Sequence, residues 1–133
     1  MNHAIATVAE HMKVDLVTVS PDMEIVRAVV LLLKAGVSGA CVVDDAGELV
    51  GVLSKRDCLK AALNASYYKQ WGGTVDDYMA RDLETLDAGL DIVAAAERMV
   101  ESSFRRFPVT RHGLLVGQIS RTDVLEALSA QWR

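Results

Sequence analysis

Sliding the 133-residue chain along itself by 67 positions pairs Val8 with Val75, Met12 with Met79, Asp15 with Asp82, Leu16 with Leu83, Thr18 with Thr85, Ile25 with Ile92, Val26 with Val93, Ala28 with Ala95 and Val42 with Val109. One residue is then lost in a turn, Asp44-Asp45-Ala46-Gly47 standing against Arg111-His112-Gly113. At the new offset of 66 the pairs resume: Gly47/Gly113, Leu49/Leu115, Val50/Val116, Gly51/Gly117, Ser54/Ser120, Asp57/Asp123, Leu59/Leu125 and Ala61/Ala127. This repetition restricts the fold severely, because half of so short a chain buries too little apolar surface to stand alone. The expectation is two tandem repeats, 1–66 and 75–133, joined by a linker over 67–74 into one module.

Each half reads as the same series of elements. A short leading helix (Ile5 to Met12; Val75 to Met79) precedes a short strand (Leu16 to Val19; Leu83 to Leu86). In the first half Ser20-Pro21-Asp22 supplies an N-cap, a proline at the first helical position and an early acid, opening a helix that runs to about Ala35 and stops at Gly36. Its counterpart runs from about Gly89 to Glu101. A strand (Ala40 to Val43; Phe107 to Thr110), the turn, a second hairpin strand (Glu48 to Leu53; Leu114 to Ile119) and a last helix (Lys55 to Ala65; Arg121 to Ala130) complete each half. The fold class is α/β of the α+β kind: two tandem β-α-β-β-α repeats packed with pseudo-two-fold symmetry.

The sharpest recurrence is Gly51-Val52-Leu53-Ser54-Lys55-Arg56-Asp57 against Gly117-Gln118-Ile119-Ser120-Arg121-Thr122-Asp123. Each is a strand-to-helix junction with a serine placed to cap the helix. The first backbone N–H groups of a helix lack intrahelical partners and the positive end of its dipole points outward, which suits phosphate. The serine hydroxyl and the following Lys55 or Arg121 strengthen that preference. An aspartate three residues on, one turn along the same face, offers acceptor oxygens to a vicinal diol. Phosphate donors beside a diol acceptor describe a nucleotide. Ser-x-x-Asp is also a form of the capping box, which stabilises a helix with no ligand at all.

Composition removes other classes of function. A net charge of −4 argues against a nucleic-acid surface, which needs clustered positive charge. The longest apolar run, Ala28 to Leu33, is far shorter than the ~20 residues of a spanning helix, and the N-terminus has no secretory pattern, so no membrane segment and a cytoplasmic location are expected. Cys41 and Cys58 lack zinc or redox-pair spacing and read as buried, reduced thiols. His3, His11 and His112 have no metal spacing, and no nucleophile is paired with a base, so neither a metal site nor catalysis is expected. Arg105, Arg106, Arg111 and His112 form either an anion site or a solvated hairpin face. Tyr67, Tyr68 and Trp71 either dock a partner or pack under the linker.

Two tandem β-α-β-β-α halves, each ending in Gly-x-x-Ser-x-x-Asp, resemble the cystathionine-β-synthase (CBS) domain pair, or Bateman module, over about Val8 to Ala130. Ser38-Gly39-Ala40-Cys41-Val42-Val43-Asp44 and Arg105-Arg106-Phe107-Pro108-Val109 resemble the family's second-strand signature. The resemblance implies a free-standing regulatory module of bacterial type that needs no cofactor. It implies an adenine nucleotide or other adenosine-containing ligand (AMP, ADP, ATP, NAD or S-adenosylmethionine) bound in clefts between the halves. By the same resemblance Asp57 and Asp123 hold ribose hydroxyls, while Ser54 and Ser120, beside Lys55 and Arg121, face phosphate. Thr18 and Thr85, at the start of each half's first helix region, line the base or phosphate end. Backbone around Ala40 and Phe107, with neighbouring Gly39 and Pro108, borders the adenine, and Arg106 reaches phosphate. Cys41 replaces the family's proline, which puts the backbone shape there in question. Arg106-Phe107 against Gly39-Ala40 makes the two clefts unequal: Gly-Ala leaves room for a purine, and Arg-Phe narrows the space but adds charge. The competing reading is a ligand-independent dimerisation or docking module that regulates an effector protein.

A homodimer is expected as well. Ala28, Val29, Leu32 and Leu33 cannot all face one small sheet, nor can Ala95, Ala96, Met99 and Val100, so some must meet another layer. Related pairs join two chains through these helices and the final ones into a flat disc. A charge at Leu32 is expected to split it.

Overall fold

The computed structural model describes residues 6–68 and 72–132. In chain order the elements are α1 (Val8–His11), β1 (Thr18–Val19), α2 (Ile25–Ala35), β2 (Gly39–Val43), β3 (Leu49–Ser54), α3 (Lys55–Tyr68), α4 (Val75–Tyr78), β4 (Leu86–Asp87), α5 (Ile92–Glu101), β5 (Arg106–Arg111), β6 (Leu114–Ser120) and α6 (Arg121–Ala130). They form two three-stranded sheets, β1-β2-β3 and β4-β5-β6, in which the first pair of strands is parallel and the second antiparallel. Each repeat therefore supplies one sheet, with its crossover helix (α2 or α5) joining the parallel strands.

The hairpin turns absorb the one-residue difference between the repeats. In the first, Asp44 Oδ1 accepts from the N–H of Ala46 at 3.0 Å and of Glu48 at 2.9 Å, and Gly47 takes φ 83°. In the second, His112 (φ 54°) and Gly113 (φ 82°) are consecutive left-handed residues, the geometry of a tight two-residue hairpin that follows the strand twist. Both ladders then slip register at the equivalent place, Val42/Val43 and Val109/Thr110. Cys41, in the place of Pro108, thus leaves the course of its strand unchanged.

Helix α2 starts later than Ser20-Pro21-Asp22 predicts. Those residues make a turn instead, with Met23 N–H donating to Ser20 O at 3.2 Å. Glu24 stays extended at φ −60°, ψ 134° because it bridges Thr74, and Ile25 N–H donates to Gly73 O at 3.2 Å. The equivalent helix α5 is capped conventionally, Asp91 Oδ1 accepting from Ala94 N–H at 2.8 Å. Gly36 ends α2 in the left-handed conformation, as expected.

Packing divides the chain elsewhere than at the repeat boundaries. A first compact unit is Leu16–Leu83; a second joins Glu84–Arg133 to the N-terminal segment that ends at Asp15. In the second unit Val8 and Ala9 donate backbone hydrogen bonds to Leu90 and Ala88 at 2.8 and 3.0 Å, and Lys13 and Gln118 exchange N–H···O bonds at 2.8 and 2.9 Å. Val8 is buried there with Leu86, Ile92, Phe107, Val109 and Ile119. In the first unit Val75 N–H donates to Met23 O at 2.9 Å, Val52 and Ala80 exchange bonds at 3.0 and 2.9 Å, and Val75 and Met79 join Val19, Ile25, Leu32, Val42 and Leu53 in the core. Each leading helix, read from the sequence as part of its own half, completes the sheet of the other repeat. The repeated glycines serve this exchange: a Cβ on Gly51 would lie 2.6 Å from Met79 Sδ and 2.9 Å from Ala80 O, and one on Gly117 would lie 2.8 Å from Lys13 O.

Candidate functional site

In the first unit β1 runs parallel to β2 and β3 antiparallel to it, so the start of β1, the start of β2 and the end of β3 lie at one end of the sheet. Thr18 opens β1 opposite Cys41, Gly39 faces Ser54 across the ladder, and Ala40 faces Leu53. Lys55 and Asp57 occupy the first turn of α3, directly after Ser54. The residues expected at the site are therefore gathered at that sheet end by topology alone.

The second unit repeats the arrangement. Arg106 faces Ser120, Phe107 faces Ile119, Pro108 faces Gln118, and Arg121 and Asp123 open α6. Pro108 brings no N–H to the ladder, and the pairing of β4 begins one residue later than that of β1, at Leu86 and Val109. Thr85 thus stands just before β4. Thr18 lies in the strand expected over Leu16 to Val19 and Thr85 just before its counterpart, both ahead of α2 and α5 and not at their starts. Phe107 is 0% exposed with its ring in the core, so any narrowing on this side comes from Arg106, which is exposed.

At both junctions the serine and aspartate bond one another. Asp57 Oδ2 accepts from Ser54 N–H and from Ser54 Oγ, both at 2.9 Å, while Ser54 Oγ accepts from Asp57 N–H at 3.1 Å. Asp123 and Ser120 repeat these bonds at 2.9, 3.0 and 3.2 Å. These are reciprocal capping boxes. The first helical N–H is also taken, Lys55 donating to Ser38 O at 2.9 Å and Arg121 to Arg105 O at 3.3 Å. The expected cradle of free N–H groups is thus largely satisfied from within, and each serine hydroxyl is turned to its own aspartate.

The second carboxylate oxygen separates the junctions. Asp57 is half-buried, and among the described residues its Oδ1 has no partner. Asp123 is 7% exposed, and its Oδ1 lies 3.5 Å from Nζ of Lys13, itself 72% exposed. Arg121 Nη2 turns away to donate to Ser102 O at 3.1 Å. Lys13 was not visible as a site residue because it lies more than a hundred positions from Asp123 in the chain. Its only signal was the mismatch at the repeat-equivalent position, where Ala80 stands.

Burial pushes the Cys41 thiol up to about 11. Burial and then the charge of Asp57 raise that of Cys58, against a smaller opposing backbone hydrogen bond. Both are neutral thiols at ordinary pH. Among the described residues no group of three His, Cys, Asp or Glu gathers to hold a metal, and no helix is long and apolar enough to cross a membrane. Tyr67 and Tyr68 are exposed; His3 and Trp71 lie outside the described residues.

Apolar grooves lie between the crossover and final helices. In the first unit one of about 300 Å³ is lined by Val29, Leu33, Cys58, Leu59 and Ala62; in the second, one of about 490 Å³ is lined by Ala96, Val100, Val124, Leu125 and Leu128. The two sets are repeat equivalents. Leu33 (67%) and Val100 (85%) are exposed, whereas Leu32 and Met99 belong to the cores. Leu32 and Met99 also line the floors of these grooves, but at 1% and 3% exposure their side chains are core, so a charge at Leu32 attacks the fold before it reaches any interface.

The CBS domain family model matches residues 7–64 and 75–130. Uncharacterized protein MJ1225 of Methanocaldococcus jannaschii is 32% identical over 125 residues, 94% of this chain and 44% of that protein. Inosine-5'-monophosphate dehydrogenase of Thermoplasma acidophilum is 33% identical over 112 residues, 84% of this chain and 21% of the enzyme. The chain thus spans less than half the length of these relatives. Among solved structures, CBSX2 in complex with AMP aligns with a TM-score of 0.80 at 31% identity, covering 96% of this chain and 99% of that one. CBSX2 from Arabidopsis thaliana, a CBS-pair protein, gives 0.81 at 30%, covering 98% and 99%.

Proposed function

The chain belongs to the CBS domain family, and from that premise we propose that it is a non-catalytic regulatory module that binds an adenosine-containing nucleotide at its strand-to-helix junctions. The observation that carries this reading is Asp57. Its carboxylate keeps one oxygen in the capping box and leaves Oδ1 without a partner among the described residues, at the sheet end where Thr18, Gly39, Ala40 and Lys55 meet. A carboxylate oxygen in that position accepts from a ribose diol without dismantling the helix cap. Gly39, half-buried at that sheet end, offers backbone to a planar base, while Ala40 beside it is buried. AMP is the first candidate because it is the ligand named in the CBSX2 complex; ADP, ATP, NAD and S-adenosylmethionine share its adenosine and compete for the same contacts.

A second reading has its own observation. Both Ser-x-x-Asp pairs are satisfied as helix caps with no ligand. On that reading the chain is a ligand-independent dimerisation or docking module that passes its output to an effector protein. Thermal melting separates the two. A ligand at 100 times its dissociation constant stabilises the folded state by about 2.7 kcal/mol, enough to raise the melting temperature by several degrees. A rise with AMP or another adenosine compound is expected; a flat melt at millimolar concentration of all five moves the assignment to the docking reading.

Under either reading the module acts as a cytoplasmic homodimer. Each of the two repeat-equivalent apolar grooves is a face suited to a second copy, and a homodimer pairs such faces across a two-fold axis.

A further inference from the structure

The two junctions are framed by the same backbone and differ in one side chain beside the aspartate. In the second unit Lys13 is pinned by its paired backbone bonds with Gln118 at 2.8 and 2.9 Å; in the first, Ala80 is pinned in the same way by Val52 at 3.0 and 2.9 Å. Those anchors fix where the side chain of position 13 begins, within reach of Asp123. It stands 3.5 Å from Oδ1, the oxygen that the cap leaves over. Alanine at position 80 has nothing to offer Asp57.

We propose that Lys13 is a specificity-determining residue that makes the two junctions unequal. It holds the spare oxygen of Asp123 in an ion pair, so a ribose diol meets a competing cation at that oxygen, whereas Oδ1 of Asp57 has no partner among the described residues. The inference rests on the nucleotide-binding reading and adds an order to it: the Asp57 junction is the strong site and the Asp123 junction the weak one. The competition is modest, because the ammonium is largely in water and an exposed ion pair contributes little. The result is a graded preference, not an on–off switch.

Isothermal titration with AMP tests this on the intact chain. Asp57→Asn, which keeps a cap acceptor but loses the charge, should weaken the strong event about tenfold or more. In that background Lys13→Ala should tighten the remaining event by roughly threefold to fivefold, while Lys13→Arg, which restores a cation, should leave it as it was. Tightening with Lys13→Ala but not with Lys13→Arg supports the proposal. Weakening would show Lys13 to be a ligand contact and overturn it, as would a strong event lost with Asp123→Asn and kept with Asp57→Asn. AMP binding that ignores position 13 sinks this proposal alone; no AMP binding by the unaltered chain sinks the nucleotide reading and this inference with it.

Discussion

The Asp57 and Asp123 junctions share their hydrogen bonds almost to the tenth of an ångström, yet their surroundings carry different charges. Around Asp123 the chain places Lys13, Arg105, Arg106 and Arg121; at the equivalent positions around Asp57 stand Ala80, Ser38, Gly39 and Lys55. What is common to both is what the fold needs: the glycine that admits the leading segment, the serine and aspartate that cap the helix, and the apolar partners of each core. What differs is what a ligand would meet. The repeat thus separates architecture from recognition within one chain.

The largest effect tests the shared architecture. Leu32→Glu and its equivalent Met99→Glu each put a carboxylate among buried apolar side chains, and each should cost several kcal/mol and abolish cooperative unfolding. One position along, Leu33→Glu and Val100→Glu lie on the exposed grooves. They should leave the far-ultraviolet spectrum and melt nearly unchanged while light scattering falls from twice the 14.4 kDa chain mass to the chain mass itself. A dimer that survives both groove substitutions rules these faces out as its interface.

Next come the glycines. A methyl group on Gly51 meets Ala80 O at 2.9 Å and one on Gly117 meets Lys13 O at 2.8 Å, both in paired backbone that has little room to give. Gly51→Ala and Gly117→Ala should each lose about 1–3 kcal/mol in urea titrations, and by similar amounts. A loss confined to one of them would mean that the exchanged leading segments do not pack alike.

A smaller effect separates cap from ligand contact. Asp57→Ala and Asp123→Ala each remove half of a capping box and should cost about 1 kcal/mol with no ligand present. Asp57→Asn should keep most of that stability and still lose affinity. If both variants unfold where the unaltered chain does, the reciprocal bonds contribute nothing measurable and the aspartates belong to binding alone.

Element types and order were legible in the sequence because the apolar spacing and the repeat agree with each other: α6 starts and ends where its pattern does, and the single deletion sits in a hairpin turn that tolerates it. Two things were not legible. Val8 and Val75 read as apolar wherever they pack, so periodicity marks them as core without saying whose core, and the exchange of leading segments stayed hidden. The late start of α2 escaped for a related reason. Ser20-Pro21-Asp22 is a sound local helix start, overridden by the pairing of Glu24 with Thr74, some fifty residues away in the chain. At the site, the Ser-x-x-Asp motif already allowed the capping box that the structure contains, and Thr18, Gly39 and Ala40 came from the family resemblance alone, but the reach of Lys13 to Asp123 is a property of the third dimension.

The smallest effect is also confined to one side of the comparison. Both cysteines lie in the first unit, and the second has Pro108 and Val124 in their places. Burial raises the Cys41 thiol from 9.0 to about 11, and Cys58 moves in the same direction. A thiol that ionises less readily in the folded chain than in the unfolded one stabilises fully below pH 9, and that contribution is lost as pH climbs toward 11, because only the unfolded state releases its proton in that window. For Cys41 the loss at pH 9.5 is about 0.8 kcal/mol, and Cys58 adds to it. Urea midpoints measured at pH 7.5 and 9.5 should therefore fall more for the unaltered chain than for Cys41→Ala, even though the alanine variant is less stable at both. Val124→Cys should bring the same alkaline penalty into the second unit. Parallel pH responses across these variants would show that water reaches the thiols, and the burial argument for their inertness would go with it.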